Sequence, residues 1–301
     1  MRERFELKFD DKSNLVVYRW SNPDIDPIGC VQISHGLSEH ITRYDDFANF
    51  LVSKGFIVVG DDHYQHGESC NDLKKLGKVE EYDFIDAMLK SLHLVREEFS
   101  DDFKGTTCLF SHSMGSITAQ EYIQKYPNDF QKVILSGTDV GDARYLFLQL
   151  ITKKSTKKND CITSSKLVHK ITFGSFQKKF PESSEFNWLS KNVENIKKYE
   201  SDELCGAIVS DSTYHSIAKS LRRTFKNKSI KKINPNIKIF IFSGSEDPVS
   251  AMGKSVKKLQ KKYQKNNLDV KMKLYEQLRH ETLNEIDHQI VYDDIIDFLM
   301  K

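Results

Sequence analysis

The residues Ser111-His112-Ser113-Met114-Gly115 carry the clearest chemistry in the chain. They follow the apolar run Thr107-Cys108-Leu109-Phe110. They open a segment whose apolar residues (Ile117, Ala119, Tyr122, Ile123, Tyr126) have roughly helical spacing up to Pro127. A serine at the apex of a strand–turn–helix junction has its hydroxyl held clear of the sheet. Behind it lie the free N–H groups and positive dipole end of the helix. In that setting a weak nucleophile becomes usable for acyl transfer. The usual spacing is Gly-x-Ser-x-Gly, and here Ser111, the next-smallest polar choice, fills the first glycine position.

A serine nucleophile needs a base, and the base needs an orienting acid. Asp247 lies in Ser243-Gly244-Ser245-Glu246-Asp247-Pro248, just past an apolar run over 237–242. His280 lies in Gln277-Leu278-Arg279-His280-Glu281, just past an alternating run over 270–275. Both therefore fall at carboxyl ends of expected strands, as Ser113 does. The rivals are Ser111 for the nucleophile, Glu246 for the acid and His288 for the base. An oxyanion hole needs two N–H groups aimed at developing negative charge. The expected donors are the backbone N–H of Met114, directly after the nucleophile, and that of Leu37 in His35-Gly36-Leu37-Ser38-Glu39-His40.

The elements that must hold these residues are legible from periodicity. Strands are expected over 5–9, 15–20, 28–34, 56–59, 107–110, 133–135, 237–242 and 270–274. Helices are expected over 44–51, closed by Gly55, and 85–99, where Ile85, Met88, Leu89, Leu92, Val95 and Phe99 form one stripe. Met252 to Tyr263 and Ile286 to Leu299 complete the helices. Alternating strands and helices imply a mostly parallel central sheet covered on both faces, with ligands at the carboxyl ends of the strands. The alternation breaks over 141–231. We read that stretch as an inserted helical cap, with the core formed by 1–140 and 232–301.

The chain has 301 residues, 39% hydrophobic and 29% charged, and a net charge of +2, too near balance to imply nucleic acid. Residues 1–100 hold 12 Lys/Arg against 19 Asp/Glu, a net of −7, and the remainder is +9. The lysines at 254, 257, 258, 261, 262 and 265 lie opposite the Met252–Tyr263 stripe and read as a solvated helix face. Cys30, Cys70, Cys108, Cys161 and Cys205 are odd in number, scattered and without a Cys-x-x-Cys pair, so reduced thiols in a cytoplasmic protein are expected. The charged start is unlike a signal peptide, and no apolar run reaches the length of a membrane span. His63 and His66 beside Asp61 and Asp62 complete no known ligand spacing, so neither a metal nor another cofactor is expected. The apolar run 145–151 beside Lys153, Lys154, Lys157 and Lys158 reads either as an interfacial lip making peripheral membrane contact or as cap packing.

Taken in order, these segments give the chain a family resemblance. His35-Gly36-x-x-Glu39-His40 with Arg43-Tyr44, the run Asp62 to Ser69, the Ser113 elbow, and the Asp247 and His280 contexts resemble α/β-hydrolases of the monoacylglycerol lipase and lysophospholipase type. The segment from Asn187-Trp188-Leu189-Ser190 to Asp202-Glu203-Leu204-Cys205-Gly206 resembles the cap of bacterial members. The resemblance implies an α/β-hydrolase fold and the triad order Ser113…Asp247…His280. It also implies head-group contacts from Glu39, Arg43 and His112, and a loop pinned by the 61–66 side chains. Besides Ser111, the chain departs from the pattern at Gln65, where the family has glycine, and at Leu283, where animal monoacylglycerol lipases have a second histidine.

The expected function is serine carboxylic-ester hydrolysis. The substrate would be a monoacylglycerol or lysophospholipid whose acyl chain meets Tyr145, Phe147, Phe173, Phe176, Phe180, Phe186 and Trp188. A short-chain esterase, thioesterase or amidase on the same fold, or a non-catalytic binding protein, are the alternatives.

Overall fold

The computed structural model describes residues 1–153, 162–180 and 184–301. Lys154, Lys157, Lys158, Cys161 and the side chain of Phe173 lie outside the described residues. Eight strands form one sheet: β1 (Arg2–Lys8), β2 (Asn14–Trp20), β3 (Gly29–Ser34), β4 (Phe56–Asp61), β5 (Thr106–His112), β6 (Lys132–Ser136), β7 (Lys238–Gly244) and β8 (Asp269–Tyr275). Their spatial order is β1-β2-β4-β3-β5-β6-β7-β8. β1 and β2 pair antiparallel, as do β2 and β4, and every other pairing is parallel. This is the expected α/β architecture.

The strands are buried on both faces because alternate side chains enter opposite cores. Cys108 and Phe110 of β5 and Ile134 of β6 pack with α1 (Asp45–Ser53) and α11 (Gln289–Met300) through Phe47, Leu51, Val291 and Ile295. Leu109, Val133 and Leu135 point the other way. They meet α2 (Phe84–Glu98), α3 (Met114–Lys125) and α10 (Lys254–Gln264) through Met88, Leu92, Tyr122, Val256 and Leu259. Between β6 and β7 the chain forms α4 (Ala143–Thr152), α5 (Lys166–Ile171), α6 (Phe173–Gln177), α7 (Val193–Ser201), α8 (Asp211–Thr224) and α9 (Asn227–Ile230).

Two expected helix starts shift. Ala251, Met252 and Gly253 take positive φ of 53°, 56° and 75°, a left-handed turn that delays α10 to Lys254. Glu285 is extended and Ile286 is exposed, so α11 begins at Gln289. His93 of α2 is held between two helices. Its ring stacks on Tyr126 at 3.9 Å and its Nδ1 meets the Tyr122 hydroxyl at 3.2 Å, joining α2 to α3.

At the β5–α3 junction, Ser113 has φ 52° and ψ −120°, and its N–H donates to the Ser136 carbonyl at 2.9 Å. Gly115 lets α3 approach β3 so closely that a Cβ there would collide with the carbonyl oxygens of Ser34 and His35. Ser111, by contrast, is fully buried inside β5 and its hydroxyl donates to the Ile134 carbonyl at 2.7 Å. That bond explains why serine replaces glycine at the first position and not at the second. Gly115→Ala is expected to cost about 1–3 kcal/mol by overpacking. This outweighs the roughly 1 kcal/mol that alanine gains over glycine in a helix, and a lower denaturant midpoint would record it.

Candidate active site

Ser113, His280 and Asp247 come from the carboxyl ends of β5, β8 and β7. Parallel strands of one sheet end at one rim, which brings residues as far as 167 positions apart in sequence to the same end of the sheet. Ser113 and His280 both line a cavity of about 320 Å³. The Nδ1 of His280 lies 2.9 Å from Asp247 Oδ1. Asp247 is fully buried and held by the Ser243 hydroxyl on Oδ2 at 2.7 Å and the Val249 N–H on Oδ1 at 2.9 Å. Burial opposes its ionisation, but the His280 charge and these hydrogen bonds outweigh it and hold the carboxyl below its ordinary value. Burial likewise opposes charge on His280. The facing carboxylates of Asp247, then Glu281 and Glu39, prevail and raise its pKa above 6.5.

The rivals sit elsewhere. Ser111 points into β6. His288 binds the Glu285 carbonyl through Nδ1 at 2.8 Å, just before α11. Glu246 is paired with Lys191 at 3.2 Å.

Gly36, Leu37 and Ser38 form the wall facing Ser113. A Cβ on Gly36 would stand 3.2 Å from that of Ser113, so the loop carrying Leu37 touches the elbow. Met114 opens α3 with its side chain in the core, and its N–H belongs to the first helical turn, where intrahelical acceptors are missing. His112 also lines the cavity. Its Nδ1 meets the Ser136 hydroxyl at 3.1 Å, its ring lies 4.6 Å from that of His280, and burial followed by the His280 charge depresses its pKa to about 3. Burial therefore favours the neutral form of His112.

Glu39 lines the cavity, whereas Arg43 is held behind it. Arg43 forks onto Glu281 through Nη1 to Oε1 at 2.8 Å and Nη2 to Oε2 at 2.7 Å, and Nη1 also donates to Glu39 Oε2. Nothing in the local pattern of residues 277–281 marks Glu281 as a partner of Arg43. The pair spans 238 positions, and the only hint was the adjacency of a carboxylate to His280.

Deeper still, the loop side chains of 61–66 hold one another. His63 bridges Ser34 Oγ and Asp61 Oδ2, each at 2.9 Å, and stacks on His35 with ring centroids 4.1 Å apart. Asp62 accepts the N–H groups of Ile41 at 2.8 Å and Glu68 at 2.7 Å, tying two loops together. Gln65 keeps a left-handed backbone, φ 61°, without glycine.

The apolar lining differs from the expected set of aromatics. Phe186 and Trp188 line the cavity with Leu37, Leu189, Tyr199 and Ile208. Phe176 and Phe180 pack behind Trp188. Tyr145 turns inward to Asp139, its hydroxyl 2.7 Å from Oδ2, and Phe147 faces outward. Polar residues, His169, Lys170, Gln177 and Glu185, complete the lining. Among the described residues, His40, Asp202 and Cys205 are the group whose side chains approach as metal ligands could, and His40 Nε2 already meets Asp202 Oδ2 at 2.7 Å.

Comparison with known proteins places the chain in a family. Residues 25–287 match the model of the family Hydrolase_4, described as serine aminopeptidase, S33. A monoacylglycerol lipase of Mycolicibacterium smegmatis is 23% identical over 290 residues, covering 95% of this chain and 93% of that one. A monoglyceride lipase homolog of Monkeypox virus is 26% identical over 281 residues, covering 93% and 91%. The crystal structure of a thermostable carboxyl esterase from Bacillus coagulans superimposes with a TM-score of 0.90 at 22% identity, covering 99% of this chain and 97% of that one. The chain belongs to the Hydrolase_4 (serine aminopeptidase, S33) family, and is a serine hydrolase of the α/β-hydrolase fold, similar to the monoacylglycerol lipases.

Proposed function

We propose that the protein hydrolyses carboxylic esters of the monoacylglycerol or lysophospholipid class, with Ser113 as nucleophile, His280 as base and Asp247 as orienting acid. The observation that carries this reading is the convergence of Ser113 and the His280–Asp247 pair on one partly apolar cavity. Asp247 accepts from His280 Nδ1–H, which leaves Nε2 free to take the Ser113 proton as the hydroxyl oxygen attacks the ester carbonyl. The N–H groups of Leu37 and Met114 hold the oxyanion. The tetrahedral intermediate collapses, His280 returns the proton to the departing alcohol, and Ser113 is left acylated. Water then gives a proton to His280 and attacks the acyl carbon, and as the acid departs His280 returns that proton to the Ser113 oxygen. The chemistry requires neither a metal nor an organic cofactor.

Residues 141–231 act as a cap whose Phe186, Trp188, Leu189 and Ile208 receive the acyl chain. Outside the cavity, Leu146, Phe147 and Leu150 of α4 and Leu167 and Ile171 of α5 are exposed, which supports peripheral contact with a lipid surface. Among the described residues no helix is long and apolar enough to cross a membrane. The free thiols Cys30, Cys70, Cys108 and Cys205 favour a cytoplasmic setting. Lys170, Gln177 and Glu185 in the lining favour a second reading, a shorter or more polar acyl group carried as an ester or amide.

Fatty-acid release from monoacylglycerol, lysophosphatidylcholine and short p-nitrophenyl esters separates these readings. Ser113→Ala is expected to lower turnover by about 10⁴–10⁶-fold while keeping its cooperative melt. Full activity in that variant would sink the scheme, and turnover of short esters alone would favour the second reading.

The base must be neutral to act, so kcat/KM rises with pH through the His280 ionisation. The midpoint is expected above the ordinary 6.5, since the facing carboxylates raise it. Asp247→Asn removes the largest of these charges. It should move the midpoint to lower pH and cut kcat by roughly 10⁴-fold, both read from a pH–rate profile.

A further inference from the structure

Two loops must keep register for the proposed reaction. One, residues 36–39, carries Leu37, and the other, residues 280–281, carries His280. The side-chain link between them is Arg43, held between Glu39 and Glu281. Glu39 Oε1 accepts the Gly36 N–H at 2.6 Å and the Tyr44 hydroxyl at 2.9 Å, while its Oε2 accepts from Arg43. On the other side Glu281 takes both Nη atoms of Arg43, and its backbone N–H donates to the Leu189 carbonyl at 2.7 Å. Asn195 and Asn284 donate to Glu281 Oε2 at 2.8 and 3.0 Å. The guanidinium also lies 4.8 Å from the centre of the Tyr199 ring.

We propose that Arg43, gripped by Glu39 and Glu281, is a positioning residue that fixes the Leu37 loop against the His280 loop, and is not a contact for the substrate head group.

The donor count supports this. Each Nη of Arg43 has two hydrogens. Nη1 serves Glu39 and Glu281, and Nη2 serves Glu281 and, at 3.4 Å, Asn195. The Nη edge of the guanidinium is thus committed, with three hydrogens on carboxylates and one on Asn195, so a head group approaching that edge would have to displace a buried partner. The side chains are nearly enclosed, at 10% exposure for Arg43 and 5% each for Glu39 and Glu281. Arg43 is absent from the cavity lining, which Glu39 and Glu281 both reach. Fork-to-fork pairing fixes angle as well as distance, which a lysine cannot reproduce. Glu281 therefore extends into the cap through Asn195, into the His280 loop through its own backbone, and into the Leu37 loop through Arg43.

The inference rests on the proposed ester hydrolysis. Its test uses two substrates of equal acyl length, a monoacylglycerol that bears a head group and a p-nitrophenyl ester that does not. Loss of activity in Ser113→Ala tests the reaction itself. Glu281→Gln keeps the shape and removes one charge, and Arg43→Lys keeps the charge and removes the fork. Both are expected to lower kcat about 10–100-fold on both esters, with KM changed less than about threefold, and Glu281→Asp should recover part of the loss. A rise in KM confined to the monoacylglycerol would overturn the proposal in favour of head-group binding. Unchanged kcat on both esters would also overturn it, leaving a purely structural role. If Glu281→Gln fails to fold, Asn195→Ala removes one uncharged donor to the same carboxylate together with the 3.4 Å contact to Arg43 Nη2, and the same split of kcat against KM decides.

Discussion

The backbone of Ser113 is the constraint on which the site depends. A non-glycine residue at φ 52° is uncommon and costs free energy, so the surroundings must over-determine it. They do so from three sides. The Ser113 N–H is bound to the end of β6, its carbonyl accepts from Ile117 N–H at 3.1 Å and from the Ser116 hydroxyl at 2.6 Å, and α3 is pressed onto β3 at Gly115. Each of these is a contact within the sheet or helix that flanks the elbow. The strain is thus carried by the scaffold, and the Ser113 side chain is left facing the cavity.

Around that elbow the protein keeps several histidines uncharged by burial. His35 binds the Gly36 carbonyl through Nδ1 at 2.8 Å and accepts the His63 N–H on Nε2 at 3.0 Å, which assigns the proton to Nδ1. Its pKa lies well below the ordinary value, and that of His66 falls to about 3, with burial as the main cause in both. His280 is the contrast: it is as deeply enclosed, yet a carboxylate faces it directly and the balance reverses. Two similar side chains on one rim, His112 and His280, are therefore driven in opposite directions, which is the pattern that separates a base from a neutral hydrogen-bonding neighbour.

The strands and the rim residues were readable in the sequence because both obey local rules. Buried parallel strands show as short apolar runs, and functional side chains follow their carboxyl ends. Those rules put Asp247 and His280 at strand ends but left Glu246 and His288 as rivals, and only the structure sets His280 Nδ1 against Asp247. What escaped depends on contacts between distant segments. Glu281 looks like any polar neighbour of a histidine until Arg43 is seen opposite. Tyr145 and Phe147 are two aromatics two residues apart on one helix, and only the packing of α4 on the body turns one in and the other out. The glycine replacements show the same limit. Ser111 is tolerated because a β6 carbonyl awaits its hydroxyl, and Gln65 takes a left-handed φ of 61° that glycine would adopt without strain, with its Oε1 accepting from Cys70 Sγ at 3.1 Å.

The order of strands has an electrical consequence. The sheet is threaded almost in chain order from one edge to the other, with a single exchange of β3 and β4. The first hundred residues, with a net of −7, therefore gather in the β1–β4 half and the helices beside it. The +9 of the rest lies within 141–231, which hold 18 Lys/Arg against 9 Asp/Glu, whereas 101–140 and 232–301 together sum to zero. The charge is thus divided between one half of the sheet and the segment inserted between β6 and β7, and a charged interface would orient such a molecule before touching it, with a torque that added salt removes.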